Sequence, residues 1–411
     1  MDGVLMAGDV REALSEFVAD VVDRFDLRRQ REHAETYVRG LLGEGGRKSL
    51  QPALFRLGAC GLGRVDAGYQ SVQQFLADSP WDPVVLVRAC AERVCPRLGV
   101  QAWVVDDTGF VKDGTHSPGV QRQYSGSLGK VGNCQIGVSV HAVGLSGTSP
   151  LGWRLFLPEP WCEDTARRRR AKIPDDVVFA TKPTLAVELI RGARQWDVPA
   201  APVLADQAYG NDTLFRETLD GIGASYVVAV DATTSVYGPT TLFAVPERGR
   251  RARGRPPRVP VADQETTTIA KLTASLTADA WQTLRCRTGP DGVDETSRFA
   301  FLRVWSAHTI LRHRKAPRSE WLVIEWPRNN AAPTDWWLSN LPVSTIPEQL
   351  ARLTRLRWTI ELDYRQLKGE LGLDHYEGRS WIGWHHHTAL VTCAHAFLTE
   401  QRLRPSPERP A

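Results

Sequence analysis

The chain has 411 residues, 42% hydrophobic and 24% charged, which describes a globular protein of two or three domains rather than a disordered one. No apolar run approaches a membrane span, and the N-terminus MDGVLMAGDVREAL lacks the basic and apolar regions of a secretion signal, so a cytoplasmic protein is expected. Lys and Arg exceed Asp and Glu by only 51 to 47, too narrow a margin to announce a nucleic-acid binder, and seven scattered cysteines without a Cys-x-x-Cys pair argue against a disulfide framework or structural zinc.

From about residue 9 to 95 the periodicity is helical. DVREALSEFVADVVDRF and RREHAETYVRGLLG repeat apolar residues every three or four positions, and Asp82-Pro83 signals the start of a further helix. The texture changes near residue 101. QAWVVDDTGF reads as a short strand ending in acids, followed by strand-like CQIGVSVHAVGL and GWRLFLP. TKPTLAVELIRGARQW is helical, PVLADQAYG a buried strand, NDTLFRETLDGIG a second helix and ASYVVAVD another strand. That alternation predicts a mixed α/β sheet. Residues 232–345 break the rhythm with alternating strands such as SRFAFLRVWSA, SEWLVIEW and TDWWLSNLP, a β-rich insertion opened by RGRRARGRPPR. Helical texture resumes at IPEQLARLTRLRW and continues to about 402. The expected organisation is therefore a helical domain over 1–97, an α/β core over 98–231 and 346–403 interrupted by the insertion, and a disordered tail over 404–411.

Basic residues cluster at Arg167–Arg170 and between Arg248 and Arg258. Arg253-Gly254-Arg255-Pro256 looks like the core of a minor-groove AT-hook, although a flexible basic linker that touches phosphates is the stronger expectation for so short a motif. SGSLGK lacks the spacing of a nucleotide-binding loop, because Val131 follows Lys130, so no nucleotide cofactor is expected. His385, His386, His387 and His395 lack partners at metal-binding spacing and are read as helix-surface or packing residues.

Three acids stand out by location. Asp106 closes the first strand, Asp206 closes PVLAD, and Glu361 sits on a later helix. Carboxylates at strand ends and on a nearby helix are how an open α/β sheet builds a site along one rim. Their convergence would call for divalent metal to offset the repulsion, and two such ions suit phosphoryl transfer. At 3.6 residues per turn, Thr354, Arg357, Glu361, Tyr364, Arg365 and Lys368 share one helical stripe. Separately, each acid also fits a turn, a cap or a solvated face.

The blocks VVDDTGFVKDGTHSPGVQRQYSGSLGKVGNCQIGVSVH, FATKPTLAVELI, VLADQAYGND, WWLSNLP and RLRWTIELDYRQLKGELGLDHYEGRSWIGWHHH resemble DDE transposases of bacterial insertion sequences, in the cut-and-paste group and its insertion sequence 701-like branch. The resemblance implies a ribonuclease-H-like core with a β-strand insertion, and a metal-binding triad of Asp106, Asp206 and Glu361 using two Mg²⁺ or Mn²⁺ ions. Asp107 is the rival for the first position. Asp106 is preferred because the group usually shows Asp-x-Ser/Thr there. The group's Tyr, Arg, Glu, Lys signature is matched by Arg357, Glu361 and Lys368, while Thr354 stands where tyrosine is expected and Tyr364 is the candidate substitute. Arg357 and Lys368 would contact phosphates at the transposon end, with Lys130, Arg167, Arg168, Arg253 and Arg255 as further DNA contacts. The implied partners are double-stranded DNA, as terminal inverted repeats and target, and a second subunit in the DNA complex, with nucleoid association when bound. A non-catalytic DNA-binding regulator and a metal-independent carboxylate-pair hydrolase are the rival readings.

Overall fold

The computed structural model describes residues 8–59, 68–126, 129–245, 260–288, 294–311 and 318–404. The Arg-rich loop of 248–258 and all but the first residue of the 404–411 tail lie outside them.

The chain begins with α1 (Gly8–Val21), α2 (Arg28–Leu42), α3 (Leu50–Ala59), α4 (Tyr69–Asp78) and α5 (Pro83–Leu98). β1 (Val100–Val111), β2 (Gln121–Ser125), β3 (Lys130–Gly144) and β4 (Gly147–Leu155) follow, then α6 (Glu159–Glu163), α7 (Thr165–Arg170) and α8 (Lys182–Ala193). Next come β5 (Val203–Ala205), α9 (Gln207–Gly210), α10 (Thr213–Gly221), β6 (Tyr226–Val230), β7 (Ser235–Tyr237), β8 (Phe243–Ala244), β9 (Val261–Ala262) and β10 (Thr267–Thr268). The chain continues through α11 (Ile269–Ala274), β11 (Gln282–Thr288), β12 (Asp294–Ser306), α12 (Ala307–Leu311), β13 (Ser319–Pro327) and β14 (Asp335–Ser339). It closes with α13 (Pro347–Leu356), α14 (Thr359–Gly369) and α15 (Trp381–Arg402). Two compact units result: Met1–Ala200 with Trp358–Ala411, and Ala201–Arg357.

In the first unit β3 is the central strand. It runs antiparallel to β1 along one edge, while β2 pairs with its beginning and β4 with its end. The alternation of strand residues assigns the faces. Val104, Asp106 and Thr108 of β1 are in register with His141, Ser139 and Gly137 of β3, and this face receives α14 and α15. The opposite face receives α8, whose Leu189 lies so near Gly152 that a Cβ there would come within 2.7 Å of it.

α15 is the hub of this unit. Its N-cap is Ser380, whose Oγ accepts from Gly383 N at 3.1 Å, and Trp384, Thr392, His395 and Phe397 are all buried. A helix buried around its whole circumference shows no amphipathic stripe. Its histidines are packing residues. His386 stacks on Trp81 with ring centroids 3.9 Å apart, and its ring nitrogens meet the carbonyls of Leu76 and Trp81, each at 2.9 Å. α5 has the capped start that its sequence predicts, Asp82 accepting from Val84 N at 2.8 Å with Pro83 in the first turn, and it ends at Gly99 in the left-handed region.

Glu400 ties α15 to α5. Arg93 donates to both of its carboxylate oxygens, at 2.6 and 2.9 Å. Burial works to raise the Glu400 carboxyl, yet the hydrogen bond and charge of Arg93, with Arg97 behind it, hold it below the ordinary range. A depressed carboxylate adds stability that is fully present above its unfolded value, about 4.3, and lost as pH falls through the folded one. Glu400→Gln should therefore lower stability by about 2 kcal/mol at neutral pH, the gap closing below about pH 4. Urea melts at the two pH values measure it, and equal stability at neutral pH would refute the clamp.

In the second unit β5 and β6 are parallel, and β6, β14, β13 and β12 continue antiparallel, with β11 and β7 also pairing to β12 and β10 to β7. Val230, Ala300, Leu322, Ile324 and Leu338 make its core, against which Trp336 packs. The three strands expected in the insertion are present. Mixed sheets, flanking helices and a helical N-terminal region are the composition of a ribonuclease-H-like α/β fold.

Candidate active site

β1 does not end at its acids. Its ladder with β3 continues from Asp106 opposite Ser139 to Val111 opposite Cys134, so Asp106 and Asp107 are mid-strand neighbours and point to opposite faces. The strand expected to close at these acids runs on, and Asp-Asp-Thr-Gly, which also fits a turn, is held extended by its continuous pairing with β3. Asp106 is half-buried on the α14 face, one of its oxygens 2.8 Å from Asp107 N. Asp107 points toward α8, where its carboxylate accepts from Lys182 Nζ at 3.0 Å.

α14 carries Glu361. The expected single stripe is divided, because the helical ladder is interrupted at Arg357–Trp358: Thr354 and Arg357 belong to α13 and its C-cap, while Glu361, Tyr364, Arg365 and Lys368 belong to α14. At 100° per residue Glu361 and Lys368 lie roughly 20° apart around the axis, and Asp363 roughly 200° from Glu361. Lys368 Nζ donates to Gly109 O of β1 at 2.7 Å. Burial pulls the Lys368 ammonium below its ordinary range, against the pull of Asp374. From Lys368 back to Glu361 is about 10.5 Å of helix, and from Gly109 back to Asp106 about 10 Å of strand. These matched rulers bring Glu361, exposed on α14, to within about a turn of the level of Asp106.

The inner side of α14 is held by polar contacts that sequence reasoning missed. Asp363, only 5% exposed, accepts from Thr148 Oγ1 at 2.6 Å, is hydrogen bonded to His141 Nδ1, and lies 2.8 Å from His395 Nε2. Burial alone would raise its carboxyl, but the attraction of His395 and His141 and their hydrogen bonds hold it well below the usual range. Tyr364 is turned inward as well. It is 8% exposed, its hydroxyl pairs with Ser139 Oγ at 2.8 Å, and burial followed by the nearby Asp106 raises its pKa well above the ordinary value. The tyrosine offered as a DNA contact is thus packed beneath the helix, because its ring fills the space beside His141 and Trp153.

Asp206 belongs to the second unit. It follows β5 directly, as expected, and caps the one-turn α9, Oδ1 accepting from Ala208 N at 3.0 Å. α9 lies tightly on β6, since a Cβ at Gly210 would sit 1.8 Å from Ala229 O. Arg357 is half-buried, and Thr354, where the signature expects tyrosine, is buried and donates back to Ala351 O at 2.8 Å. Trp326 lies under Arg298 at 3.6 Å and donates to Asn330 O, while Trp336 donates to Thr273 Oγ1.

Arg167 stacks on Trp161 at 3.7 Å and donates to Thr115 O at 3.2 Å, and Arg168 donates to Pro174 O at 2.6 Å. Half of that cluster is therefore engaged in holding its own loop. Arg169, Arg170 and Lys130 are exposed. Arg253 and Arg255 lie outside the described residues.

Asp106 and Glu361 offer hard oxygen donors, one half-buried and one exposed, which fits Mg²⁺ or Mn²⁺ completed by water and phosphate oxygens. Among the described residues no group of three or more His, Cys, Asp or Glu side chains stands close enough to hold a metal by itself. No helix among them is long and apolar enough to cross a membrane.

The sequence matches the family model of the DDE superfamily endonucleases over residues 20–293. It is also 32% identical over 164 residues to a probable transposase for insertion sequence element IS701 from Microchaete diplosiphon, a match covering 39% of this chain and 40% of that protein's length.

Proposed function

The chain belongs to the DDE superfamily endonucleases, and we propose that it is the transposase of an insertion sequence, binding terminal inverted repeats, cutting the strand at the element end and joining the freed 3′-hydroxyl to target DNA. In this reading Asp106, Asp206 and Glu361 hold two Mg²⁺ or Mn²⁺ ions. The carrying observation is the shared face: Asp106 lies on the side of β1 that receives α14, which carries Glu361 and Lys368 at nearly one azimuth, Lys368 reaching back to Gly109 of β1.

When bound, divalent ions supply Lewis acidity and offset the charge that develops on phosphate oxygens during in-line attack. The protein's own part is positioning. Lys368, anchored at Gly109 O, and Arg357 hold phosphates of the transposon end, while the half-burial of Asp106 and the hydrogen bond it accepts from Asp107 N fix its carboxylate in direction. The helices α1–α5, the exposed Arg169 and Arg170, and Arg253 and Arg255 add sequence-independent contacts to DNA. Two subunits act on paired ends, and the bound protein is associated with the nucleoid.

The test is strand cleavage of a duplex carrying the element end. The wild type should nick it only with Mg²⁺ or Mn²⁺ present, and Asp206→Ala should abolish nicking by about a thousandfold while leaving binding within about threefold. A wild type that binds the duplex and never cuts it would be a non-catalytic DNA-binding regulator, and cutting without divalent metal would overturn the triad.

A further inference from the structure

β2 and the start of β3 form a hairpin that none of the proposed chemistry uses. Its register pairs Arg122 with Asn133 and Tyr124 with Val131. Tyr124 is 63% and Val131 52% exposed, side by side, and Arg122 and Lys130 are exposed too. Among the described residues no carboxylate lies within ion-pair distance of Arg122 or Lys130. From Gly114 to Pro158 the sequence holds no Asp or Glu at all, in a chain with 47 of them. The hairpin thus presents an aromatic ring and two cations that form no ion pair among the described residues.

Its orientation follows from the same alternation that separates Asp106 from Asp107. Val131 and Asn133 are odd-numbered positions of β3, as is Ser139 opposite Asp106, so Tyr124 and Arg122 lie on the Asp106 face of the ladder. Lys130, paired with Ser125 beside the turn, begins the strand on the other face, so that the two cations flank the hairpin tip. Eight residues of β3 separate Val131 from Ser139, about 26 Å, or about eight base-pair steps of B-form DNA. An exposed Tyr beside Val contributes little to folding on an edge strand. Beside DNA, the ring has a sugar or base face to stack on, and the two cations have phosphates to meet.

We propose that the β2–β3 hairpin is a DNA contact, Arg122 and Lys130 binding backbone phosphates and Tyr124 stacking on the sugar–base edge, at about eight base pairs from the scissile phosphate. This rests on the DNA-cleaving reading above and adds to it the surface that holds the duplex beyond the carboxylates.

The experiment uses the full chain and a duplex of roughly 40 base pairs in buffer free of divalent metal, so binding is read without chemistry. Removing two phosphate contacts in Arg122→Ala/Lys130→Ala should reduce the slope of log affinity against log salt by about 1.8. Tyr124→Ala should weaken binding about fivefold or more, while Tyr124→Phe keeps the stacking face and stays near wild type. Arg122, Lys130 and Tyr124 are all exposed, and circular dichroism confirms that the variants fold. With metal and an element-end duplex, the double variant should nick slowly at low DNA concentration and at the wild-type rate at saturation. An unchanged salt slope, or equal loss in Tyr124→Phe and Tyr124→Ala, overturns the contact while leaving the proposed function standing. A wild type that binds no duplex overturns both.

Discussion

Asp106→Asn is expected to reduce metal-dependent nicking about a thousandfold, roughly 4 kcal/mol of transition-state stabilisation, whereas Asp107→Asn should stay within about tenfold of wild type. The two residues are chemically identical neighbours, so only the direction of the side chain distinguishes them. Asp106 is opposite Ser139, on the side where Tyr364 of α14 bonds that serine. Asp107 is opposite Val138, on the side of α8, with Lys182 Nζ 3.0 Å from its carboxylate. Asparagine preserves size and strand propensity and removes only the charge and one strong donor atom. In Asp107→Asn the lost partner is a half-exposed lysine, an ion pair worth about 1 kcal/mol. Nicking rates of the two variants at saturating metal and DNA decide the matter. If Asp107→Asn is the inactive one, the strand alternation has been assigned to the wrong carboxylate and the shared-face argument fails.

The sequence makes the helical start, the α/β rhythm and the β-rich insertion legible because each depends on local periodicity. Asp82-Pro83 starts a helix by capping its own next turn, and SEWLVIEW reads as a strand from its aromatic and β-branched residues, with Leu322, Val323 and Ile324 buried in succession. Where local chemistry and tertiary pairing disagree, the pairing governs. Asp-Asp-Thr-Gly has turn composition, yet β3 extends the ladder through it. QRQYS has only Ser125 buried, so β2 carries no hydrophobic signal, and its pairing with β3 is what makes it a strand. α15 is hidden differently: buried on every side, it mixes histidine and threonine with apolar residues, and their polar atoms meet backbone carbonyls of α4, of the segment before α5 and of their own helix.

Of the site, what the sequence contains is the acids and the cation spacing. What it lacks is the support under them. Asp363 and His141 are 222 residues apart, and no spacing rule links a histidine in an apolar strand to an acid on a later helix. The one available hint is that Asp363 falls on the opposite side of the helix from Glu361, where an apolar residue would be expected for packing. A buried acid at such a position calls for buried partners, and HAVGLSGTSP and CAHAF supply them only once the sheet is folded.

Asp363→Ala should therefore be among the most destabilising single changes in the first unit, by about 3–5 kcal/mol, because it leaves His141, His395 and Thr148 buried without their shared acceptor. Asp363→Asn should cost less, since the amide retains one acceptor oxygen. The carboxyl is held well below its ordinary range, so its contribution is complete above about pH 4 and lost as pH falls through the folded value. The gap between wild type and Asp363→Asn should shrink correspondingly in acid. The functional consequence follows from helix geometry. Asp363 and Tyr364 are the inner anchors of a helix only three turns long, and Glu361 faces outward on the same rigid segment. Loosening the anchors lets the helix roll, and a misplacement of about 1 Å is enough to cost about a hundredfold in rate. Asp363→Asn should thus lose nicking rate at saturating DNA while its affinity for the duplex is unchanged, the reverse of the hairpin variants. Nicking and melting curves on the same preparation separate the two effects. A variant with unaltered stability and unaltered rate would mean that α14 is held by its apolar contacts alone, with Ile360 and Leu367 sufficient to aim Glu361.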